Sequence, residues 1–317
     1  MKDDRERNLA SATSVAGAPG PRSCTRISLR NILFATDFSS VSSVALNHAL
    51  SIARRYDSRL YVAHVIRPDA YQLVPPEAVA SVTEQAQRYA EQQMAQLLIS
   101  GRLRDIPHQV LLEHGDLWSV LSFIIERHEI DLIVVGTHGR TGARKLLLGS
   151  AAEEIFRLAP CPVLTVGPKV PTEALAETEL REILYATDFT PHSGRATAYA
   201  FSLAQENQAH LNLLHVVQGA ADVSAPAMAK LTEFFVHQLR QIVPEEADLW
   251  CDPKFLLENG TPADEILKAA AQHRADLIVL GVRRSATFAG HLPPATAYKV
   301  VCQAPCPVLT VRGESKV

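Results

Sequence analysis

The sequence predicts an α/β protein made of two doubly wound, Rossmann-like parallel-sheet domains in tandem. Three observations carry that prediction. The chain repeats itself, each copy alternates short β-rich runs with longer amphipathic ones, and 317 residues suit two domains of roughly 100–200 residues each. NILFATDF (31–38) returns as EILYATDF (182–189), and LYVAHV (60–65) as LNLLHV (211–216), both 151 residues later. IDLIVVG (130–136) returns as ADLIVLG (275–281), and APCPVLTV (159–166) returns unchanged at 304–311, both 145 residues later. The second copy is therefore six residues shorter between its His-Val and Asp-Leu-Ile segments. Units this long are duplicated domains, since stacked solenoid repeats run only about 20–50 residues.

Residues 1–28, rich in Ala, Ser, Gly, Pro and charge, are expected to form a mobile tail. Its start mixes acids with bases and has no apolar stretch of the kind a secretory leader needs. A first domain follows over 29–167, then a polar linker with two prolines over 168–181, then a second domain over 182–312. In the first copy the β-rich runs are Ile32–Thr36, Leu60–Val65, His108–Leu112, Leu132–Val135 and Val163–Val166. Between them Val41–Tyr56, Glu77–Ser100, Leu117–His128 and Ser150–Leu158 carry apolar residues three and four apart, the helical spacing. Nearly continuous apolar strands alternating with helices imply a parallel sheet covered on both faces, with right-handed crossovers.

Pro160 and Pro162 directly precede the last strand. Proline cannot donate a ladder hydrogen bond, so this strand belongs at a sheet edge. Two edges of identical sequence can pair with each other and dock the halves as an intrachain pseudo-dimer about a pseudo-two-fold axis. A further homodimer is compatible with this arrangement, though no single residue calls for one.

Composition excludes several functions. Lys and Arg number 31 against 34 Asp and Glu, a net charge of -3, which supplies no field for steering onto nucleic acid or an anionic membrane. No run approaches the roughly 18–20 apolar residues that span a bilayer. Cys24, Cys161, Cys251, Cys302 and Cys306 are odd in number and lack CxxC spacing, so neither a disulfide framework nor a structural zinc site is expected. A reducing cytoplasmic location fits best.

In an open parallel sheet ligands bind beyond the carboxyl ends of the strands, where strand order reverses. Asp37 follows the first strand, and His64 and Val65 close the second. Beyond the fourth lies a run with glycines at 136, 139, 142 and 149. Glycine lets a backbone turn sharply and approach a ligand. Gly149-Ser150 opens a helix whose free N–H groups can hold phosphate. Read from the residues alone, the same run also fits a capped surface loop. Arg140, Arg144 and Lys145 could neutralise phosphate or merely solvate that loop. Asp37 and Asp188 could face a ligand, cap the following helices, or both. His64 and His215, at the ends of the second strands, could touch a ligand but read more simply as hydrogen-bonded core-edge residues, and Cys302 and Cys306 as buried small hydrophobes rather than a redox pair.

The spacing Gly136-x2-Gly139-x9-Gly149-Ser150, after an Asp-Leu-Ile-Val-Val strand and with Ala-Thr-Asp-Phe-Ser closing the first strand, resembles the universal stress protein family. The resemblance covers both halves, about 31–167 and 182–312. In ATP-binding members the glycine and serine motif wraps the ribose and phosphates, the aspartate lies beside the nucleoside, and the residue after the second-strand histidine contacts adenine. Carried over residue by residue, it implies ATP, with Mg²⁺ on its phosphates, held by Asp37, Val65, Gly136, Gly139, Gly149 and Ser150. In the second copy Asp188, Val216 and Gly281 persist, but Arg284, Pro294 and Ala295 replace the second glycine, the third glycine and the serine. Proline has no N–H and arginine places a side chain where backbone must approach, so a triphosphate cradle is not expected there.

No GxxxxGK[ST] loop, GxSxG elbow, HExxH helix or kinase signature is present, and no nucleophile–base pair stands at the site. The expectation is a nucleotide-binding stress or regulatory protein. An ATPase or phosphotransferase of the same fold, or a ligand-free interaction scaffold, is the alternative.

Overall fold

A computed structural model of the chain describes residues 26–67, 75–137, 148–171, 180–219, 223–245, 247, 251–283 and 295–313. In the first half they form β1 (Asn31–Ala35), α1 (Ser40–Tyr56), β2 (Arg59–Ile66), α2 (Pro76–Ile99), β3 (His108–His114), α3 (Leu117–Arg127), β4 (Leu132–Gly136), α4 (Ser150–Leu158) and β5 (Val163–Val166). The second half repeats the order as β6 (Glu182–Ala186), α5 (Pro191–Asn207), β7 (His210–Val217), α6 (Ala225–Gln241), β8 (Lys254–Asn259), α7 (Pro262–Gln272), β9 (Leu277–Val282), α8 (Ala295–Gln303) and β10 (Val308–Arg312). Every strand and helix named from periodicity in the first copy is present, with ends shifted by at most two residues.

The strands join in one sheet of order β3-β2-β1-β4-β5-β10-β9-β6-β7-β8. Pairing is parallel within each half and antiparallel where β5 meets β10. Thus β5 and β10 are edges of their own halves and interior strands of the joined sheet, a position that hides both ladders from solvent. Leu164 lies opposite Leu309, with Val163 opposite Thr310 and Thr165 opposite Val308. The preceding prolines supply acceptors where they cannot donate: Ile133 N–H donates to Pro162 O and Ile278 N–H to Pro307 O, both at 3.0 Å.

Helices α1 and α5 cover one face. There a continuous apolar cluster runs from Ile32 and Leu60 through Leu164 and Leu309 to Tyr185 and Leu277, so the two halves share a core. On the other face the cores are separate, except that α4 and the residues before it send Phe156 and Leu148 into the second half's cluster. Arg312 of β10, itself buried, donates to the Phe156 carbonyl near the C-terminal end of α4, where a cation also suits the helix dipole.

The expected mobile tail is anchored at its C-terminal end. Ile27 N–H donates to Ser202 Oγ at 3.1 Å, and the Arg26 guanidinium lies 2.6 Å from the Glu206 carboxylate. Residues 1–25 lie outside the described residues, as does 172–179 of the expected linker. Val170 and Leu180, flanking that linker segment, pack against the shared core.

Candidate functional site

Within the first half the strand order reverses between β1 and β4, so the crevice opens beyond their carboxyl ends. The turn after β1 is tightly specified. Thr36 N–H donates to Ala63 O at 2.9 Å, and His64 Nδ1–H donates to Thr36 O at 2.7 Å, binding the ends of β1 and β2 together. Phe38 adopts φ 63°, a left-handed conformation rare for an aromatic residue. Thr36 Oγ1 holds it there by accepting Phe38 N–H at 3.0 Å, and the Phe38 ring packs on His64 with centroids 4.6 Å apart.

Asp37 Oδ1 accepts Ser39 N–H at 3.0 Å, whereas the residue that caps α1 is Ser39, whose Oγ accepts Ser42 N–H at 3.1 Å. Of the roles open to Asp37, the helix cap therefore falls to its neighbour; Asp37 builds the turn in front of the helix. The second copy repeats the geometry: Phe189 has φ 58°, His215 Nδ1–H donates to Thr187 O at 2.9 Å, and Asp188 Oδ1 accepts Thr190 N–H at 3.0 Å. Burial pushes the His215 pKa down, against the Thr187 carbonyl and Asp188, which raise it. Both histidines are thus hydrogen-bonded strand-end residues, as their sequence position implied.

Gly136 closes β4. A Cβ there would lie 3.1 Å from Ser42 N and 3.3 Å from Ser42 Cα, so a side chain at this position would crowd the first turn of α1. The glycine that the resemblance assigns to a ligand is thus also a packing glycine, which lets α1 settle against the switch point.

Gly149 is the N-cap of α4 and has no side chain to cap with. Its N–H donates to Thr137 O at 2.7 Å, and Thr137 N–H donates to Val166 O at 2.8 Å. Glu153 N–H, bonded to Gly149 O at 2.9 Å, is the first to find an acceptor within the helix. The donors that α4 offers beyond the strand ends are therefore Ser150 N–H and the two after it, not Gly149 N–H. These groups, at the positive end of the helix dipole, suit an anion.

Arg67, at the end of β2, was not singled out in the sequence. Its Nη1 donates to Ser150 Oγ at 3.4 Å, which brings a guanidinium to the helix N-terminus. The signal was available, because Arg67 stands two residues beyond Val65, on the side of the sheet where strand ends meet ligand. Its counterpart in the repeat, Gln218, is neutral and exposed.

Among the described residues the structure brings Asp37, Val65, Gly136, Gly149 and Ser150 to this one end of the sheet. Gly139, Arg140, Arg144 and Lys145 lie outside the described residues, as do Arg284 and Pro294 of the second copy; Ala295 opens α8. No cluster of candidate metal ligands occurs among the described residues, and no described helix is long and apolar enough to cross a membrane. Burial pushes the Cys161 and Cys306 thiols up to about 12, so both stay protonated and behave as small hydrophobes.

Residues 28–167 and 179–312 each match the profile of the universal stress protein family. A universal stress protein of Methanocaldococcus jannaschii is 30% identical over 43% of this chain and 81% of its own length. A relative from Staphylococcus aureus is 32% identical over 49% of this chain and 97% of its own. Among solved structures, a universal stress protein from Archaeoglobus fulgidus superposes with a TM-score of 0.64 at 19% identity, over 90% of this chain and 99% of that one. A functionally unknown protein from Pseudomonas aeruginosa gives 0.61 at 19% identity, over 90% and 93%. Each of these two likenesses covers nearly the whole tandem, so the two-half architecture is itself a shared fold.

Proposed function

The chain belongs to the universal stress protein family, and from that premise we propose that its first half binds ATP, with Mg²⁺ carried on the phosphates, in a stress-response or regulatory role. The observation that carries this reading is the N-terminus of α4. It presents helix donors with no side-chain cap, beside Arg67 and at the switch point where Asp37 and Val65 end their strands. Ser150 N–H and its successors would hold phosphate, with the Ser150 hydroxyl and Arg67 adding a donor and a positive charge. Asp37 would lie by the ribose and Val65 against the base. Gly136, besides seating α1, leaves the strand end clear of a side chain, and Gly139 would do the same in the loop beyond.

Magnesium would screen the triphosphate charge through oxygen ligands drawn largely from phosphate and water. Proposed here is binding in a cytoplasmic protein without an evident turnover apparatus, since tight ground-state binding does not by itself accelerate chemistry. Calorimetric titration of the whole chain with ATP, with and without Mg²⁺, tests it: saturable binding is expected, and no heat at any Mg²⁺ concentration overturns it. Assay of released phosphate on the same samples separates a binding protein from an ATPase.

A further inference from the structure

A second cavity lies far from the proposed nucleotide site, at the amino ends of the strands and on the face covered by α1 and α5. The space open to the centre of a water-sized molecule is only about 40 Å³. It is a narrow slot and not an open bowl.

Its lining is built from the repeat. Leu132 and its counterpart Leu277 both line it, as do Leu164 and Leu309, which lie opposite each other in the central strand pair, and Ile52 is matched by Leu203. The slot therefore sits on the pseudo-two-fold axis, where neither half can fill the space with its own side chains.

The apolar pairs are preserved, and Ser51 is matched by Ser202, but the other polar positions differ. His48 of α1 is matched by Tyr199 of α5, and Tyr56 by Asn207. His48 is only 5% exposed, and its Nε2 is buried without a hydrogen-bond partner. A buried polar atom left without a partner is costly, and His48 lines this slot. Burial holds the His48 pKa down to about 4, so the imidazole is neutral near pH 7. Burial, with the Glu206 carboxylate adding to it, pushes the Tyr56 hydroxyl up to about 12.

We infer that this slot is a binding site for a small, neutral, linear amphiphile, whose alkyl chain lies between the paired leucines and whose hydroxyl hydrogen-bonds His48 Nε2. The narrowness selects a slim chain over a ring. Arg55 also lines the slot, about two turns further along α1, where its guanidinium donates to the Glu206 carbonyl; beside His48 the apolar lining and neutral imidazole select an uncharged head group, because a carboxylate there would be buried away from that cation. The broken symmetry at His48 and Tyr199 gives a ligand on the axis one orientation instead of two. A ligand held here touches both halves and stabilises their docking by mass action.

The test uses the full chain with methyl-labelled Leu and Ile, titrated with 1-butanol and, separately, with butyrate. Saturable shifts are expected at Leu132, Leu164, Leu277 and Leu309, in the roughly millimolar range that a ligand of a few heavy atoms allows, and unchanged by saturating Mg²⁺ and ATP. His48→Leu removes the hydrogen-bond partner without opening space and should weaken binding about fivefold, one neutral hydrogen bond's worth. Ile52→Phe fills the slot and should abolish binding, and circular dichroism confirms that each variant folds. Shifts that rise without saturating, or binding that either variant leaves unchanged, overturn the site. Butyrate binding more tightly than 1-butanol overturns the neutral class.

Discussion

Thr165 and Thr310 make the same hydrogen bond in opposite directions across the junction of the two halves. Thr165 Oγ1 donates to Val308 O at 3.1 Å, and Thr310 Oγ1 donates to Val163 O at 3.2 Å. Both threonines are buried, and the pseudo-two-fold axis passes between them at the facing Leu164 and Leu309. Thr165→Val and Thr310→Val keep the side-chain shape and lose only the donor, so each should cost about 1 kcal/mol in urea unfolding. The backbone amides of β5 and β10 should exchange slowly with solvent; fast exchange there would reject the docked arrangement.

Ser150→Pro tests the helix N-terminus cleanly. Proline is well tolerated at the first helical position, where its missing N–H has no intrahelical acceptor to lose. The variant should fold normally and lose at least tenfold in ATP affinity. Ser150→Ala, which keeps the N–H, should lose less. Gly149→Pro is the poorer probe, because it breaks the Gly149–Thr137 hydrogen bond that seats the helix.

Gly136→Ala should destabilise the fold even without nucleotide. The new methyl would meet Ser42 backbone at 3.1 Å, and backbone does not move aside as a side-chain end does. A loss of about 1–3 kcal/mol is expected, read as a lowered melting temperature of the ligand-free protein. An unchanged melting temperature with weakened ATP binding would leave Gly136 a purely ligand-facing residue.

Stability should fall between about pH 6.5 and pH 4 on account of His48. Its native pKa lies below the value in the unfolded chain, so the unfolded state binds more protons across that window, and acidification favours it. The contribution is complete above the unfolded pKa and amounts to about 3 kcal/mol. His48→Leu should flatten the profile in this range. An equally steep profile in that variant would assign the effect to other groups.

One ATP per chain is the expected stoichiometry, because Arg284, Pro294 and Ala295 alter the second copy at the phosphate cradle while the flanking strands still match. Two sites, with Ser150→Pro removing one, would show that the second cradle works.

The repeat, the strand and helix order and the pairing of the last strands were legible in the sequence, because each rests on local signals: a period of two or 3.6, a proline before a strand, a motif met twice. The ends of β1, β2 and β4 could likewise be named as the place for a ligand, since parallel topology places binding there. Four matters were decided only by tertiary structure. That Ser39 rather than Asp37 caps α1, and that Gly149 N–H is spent on Thr137, depend on which oxygen lies within hydrogen-bonding distance of which N–H. That Gly136 is needed for packing depends on how closely α1 approaches β4. The slot at His48 depends on two surfaces meeting on an axis that no single copy contains. Local sequence determines what each segment can form; distances between segments far apart in the chain exist only once the sheet has closed, and they decide which donors remain to meet a ligand.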